Sequence, residues 1–326
     1  MKGDLMAWWS RWAGPAQALG LELGTSAVKL VDLSRSAQGM LTLNGYALAP
    51  LSPGVFVDGQ IEQFDAAVKA VRAGVQRLRL RTKRVVMGLP AVGLIQSRVQ
   101  VPANLTDADL LDQVEAQAAK RMPFPLEELA LDFAVLGPAK DEPSSLEVLI
   151  SAARMERVLD RLALAEAAGL EPVVMETESN AAQVAWHAWR QRTGGAADAQ
   201  AVALVEIEPQ GISLKVTDAE ELLFERELVC QDRPASDRAA REVSRMLQFF
   251  RAEHPGRRLE LALLVGDAAG QDGLQEAVAW ASGLEVRLLD PFARMRLGPR
   301  VDRLELPGHA RSLLQACGLA LRGLET

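Results

Sequence analysis

The stretch Leu19–Leu33, LGLELGTSAVKLVDL, decides how the rest of the chain is read. Leu19, Leu21 and Leu23 alternate, and Val28, Leu30 and Val31 resume an apolar pattern after Gly24-Thr25-Ser26. A period of two predicts strand, tight turn, strand. Such a turn leaves backbone N–H groups and two hydroxyls at a strand end, an arrangement suited to a phosphate. Lys29 lies just beyond, although alternation alone does not say where its ammonium points. A plain β-hairpin accounts for the same residues, so the surrounding chain has to decide.

Outward from this stretch, a third strand is expected over about 40–48, then a Pro- and Gly-rich loop over Pro50–Gly59. Phe64, Val68, Val71, Val75 and Leu78 recur at three- and four-residue steps and predict a helix over Glu62–Leu80. Val85–Leu89 reads as a strand. A second unit follows: strand Leu94–Val101, a helix from Thr106 to about Met122, strands Leu129–Leu136 and Leu146–Ala153, and a helix Met155–Ala168 stopped by Gly169. Strand Pro172–Met175 leads into a helix and then a Gly-rich linker from Gly194. From Ala201 the opening pattern returns: strand Ala201–Ile207, turn Glu208–Gly211, strands Ile212–Val216 and Leu222–Val229, and a helix over Ser236–Glu253. Leu259–Val265, Leu274–Ala281 and Glu285–Leu289 read as strand, helix, strand, and a helix closes the chain over Ala310–Leu321.

At 326 residues, two domains are the natural expectation. The net charge of −7 supplies no dominant basic field, which argues against non-specific nucleic-acid binding. Arg77–Arg84 is locally basic, as expected of a solvated helix end, with a site for an anionic partner as the alternative. Cys230 and Cys317 are far apart and outside any CxxC motif, so a disulfide framework and a zinc site are not expected, and a reducing compartment suits them. His187, His254 and His309 lack metal-ligand spacing. No apolar run approaches the ~20 residues of a membrane span, and the N-terminus lacks the pattern of a signal peptide. A cytoplasmic protein is expected. In the leader, Leu5, Trp8, Trp9 and Trp12 share one helical face, and three of the six tryptophans sit there. A peripheral membrane contact through Trp8, Trp9 and Trp12 and a cover over a groove on the protein are both compatible with that face.

The doubled β-β-β-α pattern is similar to the actin superfamily, an α/β, ribonuclease H-like duplicated ATPase fold. Four stretches resemble the PilM family, FtsA-related actin-like proteins of type IV pilus assembly: LGLELGTSAVKLVDLS, KRMPFPLEELALDF, REVSRMLQFFRAEHP and LLQACGLALRG. The Pro-Phe-Pro-Leu-Glu-Glu segment is the most specific of them. The resemblance implies a leader over residues 1–16, a first actin-like half over 17–92 and an inserted subdomain over 93–170. A return to the first half follows over 171–198, then a second half over 199–306 and a C-terminal helix over 307–326 that packs on the first half. It implies an adaptor at the inner membrane that holds the cytoplasmic N-terminal tail of a PilN-like membrane protein and thereby joins the pilus alignment subcomplex. The tail is expected in a groove between the first half and the insert, with Leu43, Tyr46, Leu48, Leu51, Val99 and Val101 as candidates. The cytoplasmic domain of a type II secretion component is the second family to resemble. Such a domain is expected to continue into a membrane span, which this chain, ending at Thr326, does not.

The resemblance also implies an ATP and Mg²⁺ site, and each part of it is altered here. Glu22 stands where the first loop usually has Asp and could reach a hydrated Mg²⁺; Gly24, Thr25, Ser26 and Lys29 remain suited to phosphate. In the second loop, VALVEIEPQGISL, Glu206 takes the Asp position, Glu208 the Gly position, and Pro209 removes an N–H. A carboxylate ~4 Å from a phosphate, at an effective dielectric near 20, costs about 4 kcal/mol, the whole free energy of millimolar binding. Gln210, Gly211 and Ser213 are left as neutral elements. Glu176 and Glu178 match an acidic pair that could hold Mg²⁺ or water, or cap a helix. Gly266 and Gly273 persist in the adenosine loop, with Asp267 between them. Two functions follow: an adaptor with a weakened or lost nucleotide site, and a Mg-ATP-binding, weakly hydrolysing ATPase in which Glu22, Glu176, Glu178 and Glu206 act. Filament formation has no self-association surface marked in the sequence.

Overall fold

The computed structural model describes residues 17–78, 82–139, 141–142, 144–194, 201–209, 211–218, 221–230 and 233–325. Trp8, Trp9, Trp12 and Gln210 lie outside them. Strands β1 (Leu19–Leu23), β2 (Ala27–Arg35) and β3 (Leu41–Pro50) form a meander, followed by a short hairpin, β4 (Phe56–Val57) and β5 (Gln60–Ile61), helix α1 (Phe64–Leu78) and β6 (Arg84–Leu89). Next come β7 (Leu94–Pro102), α2 (Asp107–Arg121), β8 (Leu129–Pro138), β9 (Ser145–Arg154) and α3 (Met155–Ala167). β10 (Glu171–Thr177) and α4 (Glu178–Thr193) lead to a second meander, β11 (Ala201–Glu208), β12 (Gly211–Asp218) and β13 (Glu221–Val229). The chain continues through α5 (Ser236–Glu253), β14 (Leu259–Val265), α6 (Leu274–Ser282), β15 (Glu285–Leu288), β16 (Arg296–Leu297) and α7 (Leu306–His309). A 3₁₀ turn at Ala310–Leu313 then precedes the last helix, α8 (Leu314–Arg322).

The duplication is explicit in the sheets. The first runs β10-β6-β1-β2-β3 and the second β15-β14-β11-β12-β13, the same order built from corresponding strands. In each, the first strand of the meander is antiparallel to the second and parallel to the strand that follows a helix. β16 then pairs with β3 through Arg296 and Thr42, so a strand from the second half extends the first half's sheet. A separate sheet, β7-β9-β8, carries its own core with α2, formed by Val99, Val101, Val114, Ala118, Val148 and Ile150. Thr106 caps α2 by accepting from Asp109 N at 3.3 Å.

Packing adjusts three expectations. Helix α3 follows the insert's strands, but Val158, Leu164 and Ala165 lie in the first half's core beside Val68 and Val71, because its apolar stripe faces that way. The Pro50–Gly59 loop contains the β4–β5 hairpin, too short for alternation to reveal. The closing helix is broken by a 3₁₀ turn before α8. Every residue of Leu314–Leu321 is buried, and α8 lies against β1 and α4. Gly318 is what allows this: a Cβ there would stand 1.8 Å from the carbonyl oxygen of Ala181. One apolar core, including Val31, Leu43, Trp186, Val202, Leu263 and Leu314, draws on both sheets and joins the halves.

Candidate functional site

Two clusters of polar groups stand out among the described residues. The first lies between the halves, where the β1–β2 turn meets the end of β11 and the turn after β14. Glu22 and Lys29 are direct cross-strand partners in the antiparallel β1–β2 pair, so their side chains stand on one face. Lys29 is 1% exposed and its Nζ lies 2.9 Å from Glu22 Oε1, 3.3 Å from Glu208 Oε1 and 3.7 Å from Asp267 Oδ1. Ser26 Oγ donates to Asp267 Oδ2 at 2.7 Å, and the Asp267 N–H donates to Glu208 Oε1 at 3.3 Å. Glu22 Oε2 accepts from Ala316 N at 3.2 Å, in the first turn of α8, where the helix dipole favours an anion. Glu206 accepts from Gln315 Nε2 at 3.0 and 2.9 Å and from Ser213 Oγ at 3.3 Å.

The titration of these groups follows from burial. It pushes Glu22 and Glu208 up, against the pull of Lys29. Asp267 moves the other way: burial is outweighed by Lys29 and the Ser26 hydroxyl, and its carboxyl titrates below the usual range. Lys29 is driven down by burial but held well above its ordinary value by Glu208, Glu22 and Asp267. Glu178 packs over Gly88 of β6 and is partly buried; desolvation, with Glu22 nearby, raises its carboxyl to about 8.

The turn amides are equally committed. Gly24 N donates to Ala27 O at 3.1 Å, Gly266 N to Arg311 O at 3.0 Å and Ala268 N to Ile207 O at 2.9 Å. Gly266 has φ +98°, and a Cβ there would stand 2.5 Å from Ile207 O, so the loop sits hard against β11. Thr25 is exposed at the turn, Gly211 pairs with Glu208 in the ladder, and Gly273 begins α6. Among the described residues, no group of three or more His, Cys, Asp or Glu is arranged to hold a metal ion.

The second region is a trough between the β7-β9-β8 sheet and the start of α4. Two cavities, 260 and 790 Å³, share Gln96, Ala134, Leu149, Thr177 and Asn180 and so run end to end. The inner end has Leu89, Leu94 and Met175 with the carboxyls of Asp132 and Glu176; the outer end has Arg98, Glu147, Val135 and Leu136. Glu176 accepts from Thr177 N at 2.8 Å and lies 3.5 Å from Arg322 of α8. Burial raises both Glu176 and Asp132. The edge residues Val135 and Leu136 of β8 are 46% and 47% exposed.

Several expected groups are thus redistributed. Glu176 and Glu178 part company, one facing the trough and one the cleft, because the chain passes from strand to helix between them. Val99 and Val101 occupy the core face of β7, while Gln96 and Arg98 on the opposite face line the trough. Leu43 is wholly buried between the halves, Tyr46 and Leu48 flank the same core, and Leu51 packs on the first half's core. None of these six residues lines either cavity, since apolar side chains on a half-buried sheet turn inward. Gln315 was not anticipated; a lone amide in the apolar run Leu314–Leu321 is the signal that marks it. Lys215, buried and 3.4 Å from Glu225, is a second such cation, in the second strand of the second meander.

A family model described as type IV pilus assembly protein PilM matches residues 20–230 and 232–324. The chain belongs to the PilM family. A solved PilM-PilN type IV pilus biogenesis complex has a chain 24% identical, matched with TM-score 0.76 over 96% of this chain and 100% of that one. A diol dehydratase-reactivating factor in nucleotide-free form matches with TM-score 0.51 at 8% identity, over 95% of this chain and all of the other. The cytoplasmic domain of EpsL, an inner membrane component of the type II secretion system of Vibrio cholerae, matches with TM-score 0.49 at 11% identity, over 94% and 95% of the two chains. This PilM-family chain shares the fold of the solved PilM-PilN complex chain. Among the described residues, no helix is long and apolar enough to cross a membrane.

Proposed function

We propose that the chain is an adaptor of type IV pilus assembly that holds the cytoplasmic N-terminal tail of a PilN-like inner-membrane protein in the trough beside β8. The observation that carries this reading is the trough itself. It is long, open, and bordered by an edge strand whose apolar residues are exposed. An edge strand offers unpaired backbone groups to an extended peptide, and alternating pockets beside it select side chains. Leu89, Leu94 and Met175 suit an aliphatic side chain at the inner end, and Gln96, Asn180 and Gln183 suit backbone amides along the way. Through that tail the protein would sit at the inner membrane and reach the alignment subcomplex. The Trp leader would add a second, peripheral contact.

The same reading leaves the cleft between the halves without a nucleotide. A triphosphate needs free N–H donors and a cation turned toward it. Here the amides of Gly24, Gly266, Asp267 and Ala268 are used within the protein, Lys29 is enclosed by three carboxylates, and Glu206 adds a fourth. These groups do not fit ATP and Mg²⁺, and no hydrolytic step is derived through them.

The decisive experiment is calorimetric titration of the full chain with a synthetic peptide of the PilN-like tail. Saturable binding is expected; no binding would remove the adaptor reading. A thermal-shift titration with Mg-ATP should give no saturable shift below millimolar concentration, and a saturable one would restore the weak-ATPase reading.

A further inference from the structure

The contacts around Lys29 do more than exclude a ligand. Glu22, Ser26 and Lys29 belong to the first half, and Glu208 and Asp267 to the second. Three of the polar contacts therefore cross from one half to the other: Lys29 to Glu208, Lys29 to Asp267, and Ser26 to Asp267. We propose that Lys29 is a resident counter-ion that keeps the mouth of the cleft shut, so that this actin-like fold stays closed by its own ammonium rather than by a bound ligand. The inference rests on the reading that the cleft holds no nucleotide, and adds that closure is built into the chain.

The geometry supports a lock rather than a chance cluster. Lys29 is buried, its three carboxylate partners converge from three separate stretches of chain, and each carboxylate has a further partner. Glu22 is held by the first turn of α8, Asp267 by Ser26, and Glu208 by the Asp267 amide. Without the ammonium, the buried Glu22 and the partly buried Glu208 and Asp267 would face one another, and like charges at this spacing repel. Hydrating all three requires the β1–β2 turn and the Gly266–Asp267 turn to move apart, because Glu22 is buried beneath Lys29. The shared apolar core below, around Trp186 and Leu314, continues to join the halves, so the motion is an opening of the mouth, not a dissociation.

The test is the distance between the halves in the full chain. Lys69→Cys on α1 and Arg238→Cys on α5 place spin labels on exposed positions of the two halves, while Cys230 and Cys317 are buried at 4% and 0% exposure. Pulsed dipolar spectroscopy should give one narrow distance, unmoved by millimolar Mg-ATP. Lys29→Met should broaden it toward longer values, with loss of the narrow peak. Should Lys29→Met fail to fold, the pair Glu208→Ala with Asp267→Ala, which removes all three crossing contacts but leaves Lys29 with Glu22, decides by the same readout. A narrow peak retained in the folded variants would overturn the lock, as would a broad wild-type distribution that narrows only with Mg-ATP. Tail-peptide affinity measured on the same samples separates this outcome from failure of the adaptor reading.

Discussion

The cleft between the halves and the trough beside the insert lie on opposite sides of the first turn of α4, and their polar groups differ in how far they are buried. In the cleft Glu22, Glu206, Glu208 and Asp267 and the amides of Gly24, Gly266, Asp267 and Ala268 are paired within the chain, around a lysine that water scarcely reaches. In the trough, Gln96, Asn180 and Gln183 stand along an open channel with exposed apolar residues on a sheet edge. A region whose groups satisfy one another resists ligands, because each new contact must first break an old one. A region whose groups face water gives up only that water on binding. The self-satisfied region lies between the two halves, and the open one beside the β7-β9-β8 sheet.

The largest test of this contrast is Lys29→Met. Removing one partner from a buried ion-pair cluster leaves uncompensated charge, and about 3–5 kcal/mol of stability should be lost in denaturant unfolding; a loss below 1 kcal/mol would mean that the cleft is already hydrated. Next is Glu178. Its carboxyl titrates at about 8 against an ordinary 4.5, so between those values the folded chain holds a proton that the unfolded chain has released. Stability should therefore fall as pH rises from about 4.5 to 8, by up to about 1.4 kcal/mol per unit. Glu178→Gln should flatten that slope in unfolding midpoints, and an unchanged slope would place its origin elsewhere. Ala134→Trp, at the junction of the two cavities, should weaken the tail peptide at least tenfold, about 1.4 kcal/mol, with no change in Tm. Equal affinity would put the peptide outside the trough. The smallest effect is Ser26→Ala, which removes one hydrogen bond across the cleft and should cost about 1 kcal/mol without altering peptide binding.

Much of the architecture was legible because it is written in local periods. Alternation at Leu19–Leu23 and the three- and four-residue steps from Phe64 to Leu78 mark a strand and a helix without reference to anything distant. The return of the same pattern from Ala201 makes the duplication visible, and the identical strand order of the two sheets is its consequence. Where an element was too short for a period, as in β4, β5 and β16, the sequence offered no signal. The sites were less legible. Apolar alternation identified Val99 and Val101 but could not say that this face is claimed by α2 through Val114 and Ala118, leaving Gln96 and Arg98 for the trough.

What the sequence determined by itself is the fold class, the duplication, the family, and the chemical oddity of Glu208 and Pro209 in the second loop. Only the tertiary structure decided what that oddity does. Glu208 meets Lys29, Asp267 meets Ser26, and Ala316 meets Glu22, across separations of 179, 241 and 294 residues. Local periods end with each element. The charges that close this cleft come together only when two sheets and the last helix have packed, and burial then makes their pairing strong enough to matter.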